Sequence, residues 1–134
     1  MKPPSFPTYL DSAPEDDGVL IVDDSATTRA VLARMLVSAG HVVWQASSAE
    51  EGLALVKSRR PALVITDIDL NQGANGIEFL HQVGRLCPGT RKILMSGSLP
   101  PWVREEHIPF PILLKPVRMG EFRALVATMA KAPA

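Results

Sequence analysis

Five short aliphatic runs recur along the chain after Gly18: Val19-Leu-Ile-Val22, Val42-Val-Trp44, Ala62-Leu-Val-Ile65, Lys92-Ile-Leu-Met95 and Pro111-Ile-Leu-Leu114. They are apolar at consecutive rather than alternate positions, the pattern of strands in a parallel sheet that helices cover on both sides. The stretches between them carry helical periodicity instead. Val31, Leu32, Met35, Leu36 and Ala39 fall on one helical face, Ser25 is placed to cap that helix, and Gly40 is placed to stop it. Ser48-Ala49-Glu50-Glu51 has capping-box spacing and opens a second helix, with Leu53 and Val56 inward, that ends before Pro61. Ile77, Leu80 and Val83 mark a third helix, and Phe122, Leu125, Val126 and Met129 mark the last. From Leu99 to Pro109 the prolines at Pro100, Pro101 and Pro109 leave room for only about two helical turns. A helix there is expected to be short or irregular.

The alternation predicts an α/β domain: a five-stranded parallel sheet with helices on both faces, joined by right-handed crossovers. Residues 1–17 break the rhythm. They hold Pro3, Pro4, Pro7 and Pro14 with Asp11, Glu15, Asp16 and Asp17, and show no periodicity. A flexible acidic tail is expected over 1–17, one domain over 18–131, and a short tail over 132–134.

Composition narrows the function classes. The 134 residues suit a single core, which buries roughly two thirds of the unfolded surface without disulfide or structural metal. Cys87 alone supplies neither. No apolar run approaches the roughly 20 residues of a membrane span, and the N-terminus lacks the apolar stretch of a secretory signal, so a cytoplasmic location is expected. The 14 basic residues balance the 14 acidic ones, and no basic block exceeds Arg59-Arg60, which argues against direct nucleic-acid binding. His41, His81 and His107 lack metal-ligand spacing and are read as surface or packing residues. Trp102 lies in a polar, proline-bounded segment and is read as either locally packed or exposed to a partner.

In open α/β sheets the functional crevice lies beyond the carboxyl ends of the strands. The first run ends in Asp23-Asp24, the third in Asp67, the fourth in Ser96 and the fifth in Lys115-Pro116. With those strands side by side, three carboxylates, a hydroxyl and an ammonium converge. Two such carboxylates in contact repel by roughly 4 kcal/mol at an effective dielectric near 20. A hard divalent cation with oxygen ligands and an open position for a phosphate oxygen, as Mg²⁺ is usually held, offsets that repulsion. Lys115 adds a compact positive charge able to meet a carboxylate or a phosphoryl oxygen.

At these residues the sequence resembles the receiver domain of bacterial two-component response regulators, of the single-domain type and similar to receivers attached to hybrid histidine kinases. The motifs are Leu20-Ile-Val-Asp-Asp24, Val64-Ile-Thr-Asp67, Met95-Ser-Gly97 and Leu114-Lys-Pro116, and the resemblance spans Val19 to about Ala130. It implies a flavodoxin-like sheet with strand order 2-1-3-4-5. It implies that Asp67 accepts a phosphoryl group from a histidine kinase or histidine phosphotransferase in a phosphorelay. It also implies a Mg²⁺ site formed by Asp23, Asp24, Asp67 and the backbone carbonyl of Asp69, with Ser96 and Lys115 contacting the phosphoryl group. Such a chain catalyses only its own phosphorylation and dephosphorylation and signals through protein contacts to a downstream partner, without membrane or nucleic acid.

Two departures stand out. Receivers commonly carry Tyr or Phe three residues before the lysine, where this chain has Ile112, and the loop Ile68 to Gly76 is longer than the common form and lacks its proline. With Ile112 unable to gate, Ser96 is expected to turn toward the phosphoryl group and draw the segment from Gly97 to Pro109 with it. The same residues allow three other readings. A phosphorylation-independent adaptor would keep the site as a relic. A haloacid-dehalogenase-type aspartyl-phosphate hydrolase would use Asp67-Ile68-Asp69 as nucleophile and acid, but on an early strand. An EF-hand calcium loop matches Asp67, Asp69, Asn71 and Glu78, yet has Gln72 where the sharp turn needs Gly, and a strand where a helix should precede it.

Overall fold

The first aliphatic run forms β1 (Val19–Val22) and is completely buried, because strands pair with it on both edges and helices cover both its faces. The computed structural model describes residues 18–70, 75–97, 101 and 103–130. The tails expected over 1–17 and 132–134, and Trp102, lie outside the described residues. After β1 come α1 (Ala26–Ser38), β2 (Val43–Ala46), α2 (Ala49–Arg59), β3 (Leu63–Asp67) and α3 (Gly76–Leu86). They are followed by β4 (Arg91–Ser96), β5 (Ile112–Leu114) and α4 (Met119–Met129). All pairings are parallel and the strand order is β2-β1-β3-β4-β5.

Strand parity builds two cores. Val19 and Ile21 of β1, Leu63 and Ile65 of β3, and Ile93 and Met95 of β4 face α1 and α4, where they meet Leu32, Leu36, Phe122 and Val126. Leu20, Val22, Val64 and Leu94 face the other way, onto Val56 of α2 and Phe79, Leu80 and Val83 of α3. The α2–α3 contact is close. A methyl group at Gly52 would sit 2.8 Å from the Phe79 ring, so this glycine lets the phenyl ring lie against the α2 backbone.

The helix ends follow from local chemistry. The Ser25 hydroxyl accepts from the Thr28 N–H at the start of α1, and Gly40 ends that helix with φ of 96°. At α2 the Ser48 hydroxyl accepts from the Glu51 N–H, while the Glu51 carboxylate accepts from the Ser47 N–H, one residue before the cap. Arg60 turns left-handed, with φ of 44°, ahead of Pro61.

The structure corrects the sequence expectations in two places. Val31 is 53% exposed and Ala39 caps the C-terminus of α1 in solvent, because the buried stripe is Leu32, Ala33, Met35 and Leu36 and each neighbour along the helix is rotated by about 100°. The second strand starts at Val43, because its register with β1 begins at Val19↔Val43 and leaves Val42 in solvent beyond the sheet. Between β4 and β5 the helix is short and irregular as expected: among the described residues it is one 3₁₀ turn, Glu105–His107. Val103, Ile108 and Phe110 pack against the α2–α3 side of the sheet.

Phe79 is the largest buried side chain at the centre of that side. Phe79→Ala is expected to lower unfolding stability by about 3–5 kcal/mol in urea titrations. Val37→Ala, at a 59% exposed position, should stay within about 0.5 kcal/mol of wild type.

Candidate functional site

Sheet register explains why the acidic and basic residues meet. Val22 pairs with Thr66, so Asp23 and Asp67 lie level at the carboxyl ends of β1 and β3. Asp67 pairs with Met95, and Ser96 with Leu114, so Ser96 and Lys115 lie at the same sheet end, one and two strands further across. Asp67 and Lys115 also share strand parity with Ile65 and Leu113, which face α1 and α4. The strand order reverses between β1 and β3, which is where open α/β sheets form their crevice.

The ammonium of Lys115 donates to Asp67 Oδ2 at 3.2 Å and to Asp23 Oδ2 at 3.4 Å. Carboxylate oxygens of Asp23, Asp24 and Asp67 lie within 4.8 Å of one another. One lysine therefore pairs with two acids beside a third, and the cluster keeps net negative charge. Burial, opposed by the pairing with Lys115 and reinforced by the Asp23 charge, holds the Asp67 carboxyl above its ordinary value of 3.8. At Lys115, burial alone would favour the neutral amine, but the hydrogen bond it donates to Asp67 and the charges of both acids outweigh it and raise the group above 10.5. An all-oxygen donor set of this charge and spacing could hold a hard divalent cation.

Several residues fix these groups in place. Asp23 is 1% exposed; its Oδ1 accepts from the Ser25 N–H at 2.8 Å and its backbone carbonyl accepts from the Arg29 guanidinium at 2.5 Å. The Thr66 hydroxyl donates to the Asp67 carbonyl at 3.0 Å, and the Asp69 N–H donates to the Asp67 carboxylate. Gly76 presses on the same backbone, where a methyl group would sit 2.0 Å from the Asp67 carbonyl oxygen. Asn75 caps α3 by accepting from the Ile77 N–H at 2.7 Å. Ser96 is fully buried at the end of β4, and its carbonyl accepts from the Lys115 N–H at 2.8 Å. The Lys115–Pro116 peptide bond is cis.

Of the residues expected from sequence, Asp23, Asp24, Asp67 and Lys115 form one cluster, and Ser96 and Asp69 adjoin it. Arg29, Thr66, Asn75 and Gly76 were missed. The Asn75-Gly76 pair ahead of an amphipathic helix is a readable signal, since Asn caps and Gly permits close backbone approach. No local pattern marks Arg29, whose partner is a backbone carbonyl on the preceding loop.

The raised Asp67 carboxyl has a definite consequence for stability. An acid that binds its proton more tightly when folded penalises the folded state above its folded pKa, and the penalty fades as pH falls to the unfolded value. In metal-free buffer, Asp67→Asn is expected to melt above wild type at pH 7, with the difference shrinking as pH falls toward 3.8. Paired melts across that range check it, and a difference that grows toward acid would reverse the sign assigned here.

Comparisons with known proteins agree with this geometry. The family model described as response regulator receiver domain matches residues 19–127. The chain is 39% identical over 83 residues to a protein-glutamate methylesterase/protein-glutamine glutaminase of Agrobacterium fabrum, covering 60% of this chain and 23% of that protein. It is 38% identical over 65 residues to Protein PilH of Pseudomonas aeruginosa, covering 48% and 53%. It thus spans less than two thirds of the length of either relative. Among solved structures, a CheY-like response regulator receiver domain protein from Methanospirillum hungatei superposes with a TM-score of 0.76 at 27% identity, covering 84% of this chain and 91% of the other. Among the described residues no helix is long and apolar enough to cross a membrane. With its fold, its acidic cluster and its matched sequence all in agreement, the chain belongs to the response regulator receiver domain family.

Proposed function

We propose that Asp67 is the phosphoacceptor of a Mg²⁺-dependent phosphorelay, taking a phosphoryl group from a histidine kinase or histidine phosphotransferase and signalling to a downstream protein. The observation that carries this reading is one ammonium shared by two carboxylates, with a third carboxylate in reach. Such a cluster is poorly neutralised as it stands and is suited to a cation and an incoming phosphoryl group.

In the proposed transfer an Asp67 carboxylate oxygen attacks phosphorus in line, the P–N bond breaks, and the imidazole leaves with the electron pair. Charge builds on the equatorial phosphoryl oxygens, so positioning and electrostatics supply most of the acceleration. Lys115 exchanges an Asp67 oxygen for a phosphoryl oxygen, while its second contact, Asp23, keeps it in place. Ser96 donates its hydroxyl proton to another phosphoryl oxygen. Asp23, Asp24, Asp67 and the Asp69 carbonyl would hold the Mg²⁺, which when bound offsets carboxylate repulsion and developing phosphoryl charge. Ser25 and Arg29 keep Asp23 aligned, and Thr66 and Gly76 steady the backbone of Asp67. A haloacid-dehalogenase-type reading is not favoured, because Asp67 ends the third strand behind an acidic pair on the first.

With a small phosphodonor and Mg²⁺, intact-mass spectra are expected to show one phosphoryl adduct on wild type and none on Asp67→Asn. The same adduct on the variant would refute the assignment. Mg²⁺ in hundredfold excess over its dissociation constant should stabilise the chain by about 2.7 kcal/mol, seen as a rise in melting temperature. Asp24→Ala should diminish that rise, and an undiminished rise would place the ion elsewhere.

A further inference from the structure

Two elements leave the Asp67 region and meet again on the far side of the domain. α3 starts at Gly76, pressed against the Asp67 carbonyl, and the Gly76 N–H donates to the Ile68 carbonyl at 2.7 Å. Five residues along that helix is His81. β5 ends at Leu114 and is followed by Lys115, whose ammonium bonds Asp67 and whose N–H bonds the Ser96 carbonyl. At the other end of β5 the Pro111 carbonyl accepts from the Leu94 N–H, and Phe110 stands immediately before it. The Phe110 and His81 rings meet at a centroid distance of 5.1 Å with planes tilted by 59°.

The contacts form a closed circuit: Asp67, Gly76, α3, His81, Phe110, β5, Lys115 and Asp67 again. Three properties make it able to transmit a change at Asp67. The joint at Gly76 is stiff, since backbone meets backbone with no room for a methyl group. β5 is a three-residue edge strand bonded only to β4, so it shifts along its own axis more easily than an interior strand. Among the described residues between β4 and β5 the one helical turn is the 3₁₀ turn Glu105–His107, and Phe110, three residues beyond it, reaches α3 directly. A helix pinned at one end and pushed near its middle pivots about the pinned end.

We propose that Phe110 and His81 are a positioning pair that turns a change of charge at Asp67 into a rotation of α3 about Gly76. The rotation alters the exposed face on which Asn75, Ile77, Glu78, His81 and Arg85 line a groove of about 320 Å³. The pair rests on Asp67 being the phosphoacceptor. Lys115 is the link that differs between the two states, since it leaves an Asp67 oxygen for a phosphoryl oxygen and carries the end of β5 with it. Only such a differential contact can shift a conformational population. The ring pair is the side-chain joint of the circuit that lies outside the acidic cluster, so it can be broken without touching the Lys115–Asp67 contact.

The test is the amide spectrum of the full chain with Mg²⁺, before and after beryllofluoride, with a phosphodonor mass adduct measured on the same preparations. Wild type is expected to shift the amides of Ile77 through Arg85. Phe110→Ala should keep the mass adduct and lose most of those shifts, Phe110→Tyr should restore them, and His81→Ala, at an exposed position, should lose them from the other side of the joint. Full wild-type shifts in both alanine variants, or a phosphorylated wild type whose α3 amides do not move, would overturn the pair and leave the phosphoacceptor reading standing. A wild type that takes no phosphoryl group would overturn both.

Discussion

Repulsion among Asp23, Asp24 and Asp67 is the constraint around which the rest of the domain is arranged. A polypeptide does not gather three carboxylates at one end of its sheet without something to hold them. Lys115 spans two of them, backbone N–H groups of Ser25 and Asp69 donate to Asp23 and Asp67, and the cluster still carries net negative charge. Burial first, and the Asp23 charge second, raise the proton affinity of Asp67, while at Lys115 the pairing with both acids outweighs burial and raises it too. The hydrophobic layers supply the compensating stability. Twelve buried residues on one face of the sheet and thirteen on the other form two cores, both lying behind the polar end. Among the described residues no buried side-chain polar atom lacks a hydrogen-bond partner.

The site works as a geometry because β-strand register is discrete. A slip of one residue between β1 and β3 would turn Asp67 to the opposite face of the sheet and separate it from Asp23. Register is secured by the aliphatic residues behind the acids, each of which is buried on a defined face. The strands that present the chemistry are therefore positioned by residues with no chemistry of their own, and a core substitution that loosens β1 against β3 acts on the acidic cluster as well as on stability.

Much of this was legible in the sequence because it depends on local pattern. Aliphatic runs marked the five strands, Ser25 and Ser48 marked two caps, and the polar residue after each run marked the site. What escaped depends on proximity between distant segments. Asn75-Gly76 can be read as a helix start, but not as a start that docks against the Asp67 backbone, and Phe110 reads as an isolated apolar residue until the fold brings it to His81. Val31 was misplaced for a different reason. Four adjacent apolar positions in α1 allow two overlapping stripes, and only contact with the sheet selects the one through Leu32, Met35 and Leu36. The expected route from Ser96 through Gly97 to Pro109 crosses residues 98–100 and 102, which lie outside the described residues.

The last helix has a consequence of its own. α4 begins at Arg118 without a side-chain cap bond, and within it only Phe122 and Val126 are buried. It nevertheless closes one whole side of the sheet together with α1. Elements with few buried anchors and unsecured ends open first in native-state fluctuations. Opening here would wet Val19, Ile93 and Met95 from beneath while β1, β3 and the acids between them remained paired. The domain thus separates its weakest seam from its reactive end, and transient exposure of its core need not discharge whatever the acidic cluster holds.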